Sequence, residues 1–137
     1  MDNHFDLSDS EFQNKFKNCT LDPSLFDHEA HLRLSWLLLD QYTLKKAEKK
    51  IQKLLQDFVA HAGAADKYHT TLTVVAIKAI FHFKQLSKSD NFKDFILEYP
   101  QLKSNFKDLI QSHYSIDVFK SEEAKSRYIQ PDLVAFD

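Results

Sequence analysis

The sequence predicts an all-α fold: a single-domain antiparallel helical bundle with three long helices and additional short helices. Three observations carry this. Apolar residues recur at helical spacing over long segments, and no segment alternates apolar with polar residues as a half-buried strand does. The 137 residues include one glycine, too few for the tight turns of a hairpin-rich β fold. Ser, Asp, Thr or Asn stands just ahead of most periodic runs, where a helix needs an N-cap.

The elements follow in order along the chain. Ser8-Asp9-Ser10-Glu11 reads as a capping box opening a short helix within 8–19, with Phe12 and Phe16 on one face. Asp22-Pro23 marks a connection. Asp27 caps a second helix reaching about Tyr42. At 100° per residue, His28, His31, Leu32, Ser35, Leu38, Leu39 and Tyr42 share its apolar side, while Glu29, Arg33 and Asp40 fall elsewhere. Thr43 caps a third helix through about Ala62, with Leu44, Ala47, Ile51, Leu54, Leu55, Phe58 and Ala62 as its apolar stripe. Gly63, the sole glycine, suits its left-handed C-terminal turn.

A fourth helix reads from Lys67 or Tyr68 to Ser87. His69, Leu72, Thr73, Ala76, Ile80 and Phe83 form its inner face, and Thr71, Lys78, His82 and Gln85 the opposite one. Asn91 caps a short helix that Pro100 ends, and a further helix covers about Gln101 to His113. Ser121 caps a last short helix. The expected organisation is one domain over 1–137, with a main bundle at 27–113 and a tail, 114–137, packed on it.

Composition excludes several function classes. A lone cysteine rules out an internal disulfide and any multi-cysteine zinc or iron–sulfur site. One glycine leaves no glycine-rich phosphate loop. A net charge of −2 gives no overall drive toward nucleic acid. The lysines of the third helix, Lys45, Lys46, Lys49, Lys50 and Lys53, read as a solvated face, because arginine and interleaved aromatics are missing. Cys19 reads as a structural or incidental thiol. The acidic start and the lack of a long apolar run point to a soluble cytoplasmic protein with neither nucleic acid nor membrane as partner. The many phenylalanines leave room for a homodimer surface.

Short links between the second, third and fourth helices favour antiparallel neighbours. The second and fourth then start at the same end of the bundle, so His28, His31 and His69 are expected to converge there, with Ser35 and Thr73 behind them. Helix N-termini carry partial positive charge and disfavour imidazolium, so these histidines should stay neutral. A neutral imidazole can ligate a metal or accept a proton.

Several segments resemble a family of small uncharacterised bacterial all-helical proteins. The first is Phe26-Asp27-His28-Glu29-Ala30-His31-Leu32, continuing to Trp36; the second is Lys67-Tyr68-His69-Thr70-Thr71-Leu72-Thr73. Asn91 to Phe95, Tyr99 to Leu102, and parts of the tail around His113, Arg127 and Asp132 are also similar. The resemblance spans residues 26 to 132 and implies a helical fold with His28, His31 and His69 at its centre of interest. It implies no activity. The family commonly has Glu where this chain has Thr70.

Two functional readings result. In the first, the histidine end binds a metal ion or a small molecule and has the means for catalysis. His28, His31 and His69 would hold a divalent metal such as zinc or iron, whose bound water could act as a hydrolytic nucleophile. Without metal, His28, His31, Ser35, His69 and Thr73 would hydrogen-bond a polar ligand, walled by Tyr42, Tyr68 or Trp36, with Arg127 pairing an anion if the tail covers this end. His28-Glu29-Ala30-His31 is not the zincin motif, which places its histidines at i and i+4. In the second reading the chain is a non-catalytic structural or protein-interaction module whose histidines form a buried hydrogen-bond network.

Overall fold

The computed structural model describes residues 3–136. Every regular element among them is helical, and none is long and apolar enough to cross a membrane. The chain divides into two compact units, Met1–Tyr68 and His69–Asp137.

The first unit contains a 3-10 turn at His4–Asp6, then α1 (Asp9–Lys17), a 3-10 turn at Pro23–Leu25, α2 (His28–Gln41), α3 (Leu44–His61) and a 3-10 turn at Ala65–Lys67. The caps of α1, α2 and α3 are those the sequence predicts. Ser8 and Glu11 form a reciprocal capping box on α1, Asp27 accepts from the Ala30 N–H, and Thr43 accepts from the Lys46 N–H. Gly63 follows α3 with φ +73°, a left-handed turn open to glycine without strain. Cys19 performs the same turn after α1 at φ 58°, where a side chain costs about 1 kcal/mol. Helices α1, α2 and α3 pack pairwise. Their core is aromatic at its centre: Phe16 of α1 stacks on Phe58 of α3 at 4.5 Å, and Phe26 lies against both, at 4.7 and 5.4 Å.

The wheel for α2 needs one correction. Arg33 is buried together with Leu32, Leu34, Ser35 and Trp36, so α2 is covered on more than its apolar stripe. The N-terminal segment ahead of α1 lies over that second face, and its carbonyls supply acceptors for the arginine.

The second unit contains α4 (Thr70–Leu86), α5 (Phe92–Glu98), α6 (Gln101–Ser104), α7 (Phe106–Gln111) and α8 (Glu122–Ser126). Helix α4 starts two to three residues later than expected, because His69 is its N-cap and stays in extended backbone. The helix expected over 101–113 is two pieces, broken at Asn105 (φ −136°, ψ 29°), a residue type better suited to caps than to helix interiors.

The tail packs back on α4, with α8 as its main contact. Thr71, expected on the outer face, is fully buried. Its hydroxyl donates to the Arg127 carbonyl at 2.7 Å and accepts from the Ile129 N–H at 3.0 Å. One hydroxyl thus completes two backbone groups of a segment that has no regular structure of its own. Tyr114 secures the same segment by donating to the Ile129 carbonyl at 2.7 Å, and burial pushes its phenol well above the ordinary range. Thr71→Val keeps the shape and removes both bonds. A loss of about 2 kcal/mol is expected, because two backbone groups then lack partners. Urea denaturation measures it, and a loss under ~0.5 kcal/mol contradicts the tethering role.

Candidate functional site

The predicted site residues divide between the two units: His28, His31 and Ser35 lie on α2, and His69 and Thr73 lie at the start of α4. On α2, His28 occupies the first helical position and is exposed, which corrects its expected inward placement. The wheel treats every position alike, whereas a first-turn residue has no preceding turn beside it.

His31, one turn on, is half-buried, and its Nε2 has neither accessible surface nor a hydrogen-bond partner among the described residues. Its ring lies 5.9 Å from Phe26, at the edge of the Phe16–Phe26–Phe58 cluster. Burial among apolar groups, with the His28 charge adding repulsion, pushes the His31 imidazole down to about 4. Ser35 is fully buried, and its hydroxyl donates to the His31 carbonyl at 3.2 Å, one turn back along the same helix.

His69 is the most fully engaged of the predicted residues. Its Nδ1 accepts the Leu72 N–H at 3.1 Å, replacing the usual Ser or Asp oxygen of an N-cap. Its Nε2 lies 3.2 Å from the Val118 carbonyl. An accepting Nδ1 carries no proton, so Nε2 carries it and donates to Val118. Burial holds its pKa below the ordinary value, opposed by the bond to Val118. Thr73 donates to the His69 carbonyl at 2.7 Å. Both ring nitrogens of His69 and the hydroxyl protons of Ser35 and Thr73 are therefore committed to the chain itself. Arg127 contributes its backbone carbonyl, while its exposed guanidinium pairs with Glu123 one turn earlier.

A polar cluster that helical periodicity does not reveal sits in the first unit. Arg33 Nη1 donates to the His4 carbonyl at 2.7 Å, and Nη2 to the Leu7 carbonyl at 2.9 Å and to Asp9 Oδ1 at 2.8 Å. The guanidinium lies 4.6 Å from the Phe12 ring centroid and 5.4 Å from that of Phe5. Nη1 also reaches His4 Nδ1 at 3.3 Å. Arginine only donates, so Nδ1 accepts and Nε2–H donates to Glu29 Oε1 at 2.9 Å. His4 is completely buried. The visible signal was Arg33 itself, a charge set between Leu32 and Leu34 in an apolar run. No periodicity links it to His4, which is 29 residues away.

Each unit also contains an open cavity. In the second, a pocket of about 260 Å³ is lined by apolar side chains with His82 and His113. His113 stacks on Phe136 at 4.2 Å, and its Nδ1 lies 2.7 Å from the Val134 carbonyl, so the tail forms one wall. In the first, a cleft of about 680 Å³ runs among α1, α2 and α3. Lys17, Lys49, Lys50 and Lys53 line it with Gln13, Asn14 and Tyr42.

Among the described residues, no group of three or more His, Cys, Asp or Glu side chains is gathered so as to hold a metal ion. Comparison with family models, with curated proteins and with solved structures finds no match to this chain.

Proposed function

We propose that this chain is a non-catalytic helical interaction module in which the histidines hold chain segments together. The observation that carries this reading is His69, whose two ring nitrogens serve the Leu72 N–H and the Val118 carbonyl. A histidine that accepts at one nitrogen and donates at the other has no lone pair left for a metal or a proton. His4 is engaged in the same two-sided way by Arg33 and Glu29. Access argues in the same direction at His31, because a ligand reaching its Nε2 must first displace the side chains that seal it.

Two variants test the reading. His69→Ala removes the cap and the link to Val118, and a loss of about 1–2 kcal/mol is expected. His69→Asn retains a capping acceptor and is expected to recover about half of it. Untagged protein analysed by elemental mass spectrometry should carry no stoichiometric metal after incubation with Zn(II), Fe(II) or Mn(II). Metal bound near one equivalent, and lost from a folded His69→Ala variant, overturns the proposal and restores the metal reading.

A further inference from the structure

We propose that the cleft among α1, α2 and α3 binds a phosphorylated small molecule through its oligophosphate group. The volume, about 680 Å³, lies in the range of small-ligand sites. Its walls are cationic from two sides: Lys17 comes from α1, and Lys49, Lys50 and Lys53 come from α3. Among the described residues one carboxylate lines the cleft, Asp57, and it already pairs with Lys53 at 3.2 Å. Lys17 and Lys49 form no ion pair among the described residues. The chain as a whole is slightly acidic, at −2, so this concentration of positive charge is local.

The remaining groups define the ligand further. Gln41 donates to Gln13 Oε1 at 2.7 Å and to the Leu37 carbonyl at 3.2 Å, while Gln13 returns one N–H to Gln41 at 3.2 Å. One Gln13 N–H is left over, and the Asn14 amide adds further donors at the same α1 wall. Tyr42 holds the Lys50 ammonium 4.7 Å and the Lys46 ammonium 5.2 Å from its ring centroid. That ring is thereby occupied by cations, so an aromatic base finds no free platform on it. Recognition falls on the anionic portion. Lysine ammoniums act as separate point charges, which suits several phosphates in a row better than a single planar carboxylate, the natural match of arginine. The cleft is open, so the attraction is screened and should weaken with salt.

The test uses the full chain and inorganic tripolyphosphate, with ATP, citrate and a short oligoaspartate peptide for comparison, by calorimetry and amide NMR at about 50 mM salt, where screening is modest. Tripolyphosphate and ATP are expected to saturate one site, with shifts confined to the cleft. The double variant Lys17→Gln, Lys49→Gln should weaken binding at least about tenfold, whereas Lys88→Gln in the second unit should stay within about twofold. Among the described residues neither Lys17 nor Lys49 has an ion pair to lose, and circular dichroism verifies that the helices are retained. Non-saturable binding, equal binding by the double variant, or citrate binding as tightly as tripolyphosphate overturns the proposal. Preference for an acidic peptide over both phosphates overturns it too, and assigns the cleft to a protein partner.

Discussion

Arg33→Ala is expected to lower stability by about 3–5 kcal/mol, because it removes the partner of several buried acceptors at once. The guanidinium satisfies the carbonyls of His4 and Leu7 and lies over the rings of Phe5 and Phe12. Without it the Leu7 carbonyl stays dry and unpaired and the His4 carbonyl keeps only the Leu7 N–H, or the N-terminal segment lifts off α2 to reach water. The second outcome is the one expected, since the guanidinium is the group that ties both carbonyls to α2, leaving the His4–Glu29 bond and the buried Leu7 to hold the segment. Hydrogen exchange should then rise at Leu7, whose N–H bonds the His4 carbonyl in the closing turn. Arg33→Lys should fail to rescue, because one ammonium cannot span acceptors that a planar fork reaches. Asp9 is half exposed, so Asp9→Ala should cost only about 1 kcal/mol. An Arg33→Ala loss below ~1 kcal/mol, measured by urea denaturation, contradicts this account of the N-terminal segment.

Acid is expected to destabilise the fold over an unusually high pH window. The His31 imidazole titrates at about 4 when folded, against 6.5 for the free side chain. The unfolded chain therefore binds the proton first as pH falls. Stability from the neutral, buried ring is fully present above pH 6.5, declines from there to about 4, and is gone below that. The difference corresponds to about 3 kcal/mol. His69 shifts in the same direction through burial and adds to the slope in the same region. Its protonation also places a hydrogen on the nitrogen that caps α4. Glu11, Asp22, Glu98 and Asp132 are held below their ordinary values by hydrogen bonds, so their contributions fall away at lower pH. His31→Phe separates these effects. It fills a site already lined by Phe26 and should flatten the decline between pH 6.5 and about 4. An unchanged slope would falsify the assignment to His31.

Much of the fold was legible because helix ends are local chemistry. The Ser8–Glu11 box, the caps Asp27, Thr43, Asn91 and Ser121, and the turn at Gly63 each depend on side chains within three residues. The start of α4 was misplaced for the same reason seen from the other side. Histidine is an uncommon cap, so His69 read as an inward helical residue when it is the acceptor that begins the helix.

The candidate site was harder, because burial is not local. Arg33 and Thr71 lie off the apolar stripes of their helices, yet both are buried by segments distant in sequence. The partners of Arg33 come from residues 4–9, and those of Thr71 from 127–129. A wheel shows which face is apolar; it does not show which polar face a tail or an N-terminal segment will cover. The lysines of α3 illustrate the converse. As a sequence pattern they read as a solvated face, and only the packing of α1 and α2 beside them makes a cleft of part of that face.

If His69 is a latch with both nitrogens in use, its imidazole holds a single tautomer. Long-range proton–nitrogen NMR of the imidazole, at pH 7 with and without Zn(II), reads the state of each ring nitrogen. A neutral ring protonated at Nε2, an unprotonated Nδ1, and resonances that do not move when zinc is added are expected. A ring protonated at Nδ1, an imidazolium at pH 7, or zinc-dependent shifts at His69 would contradict the latch.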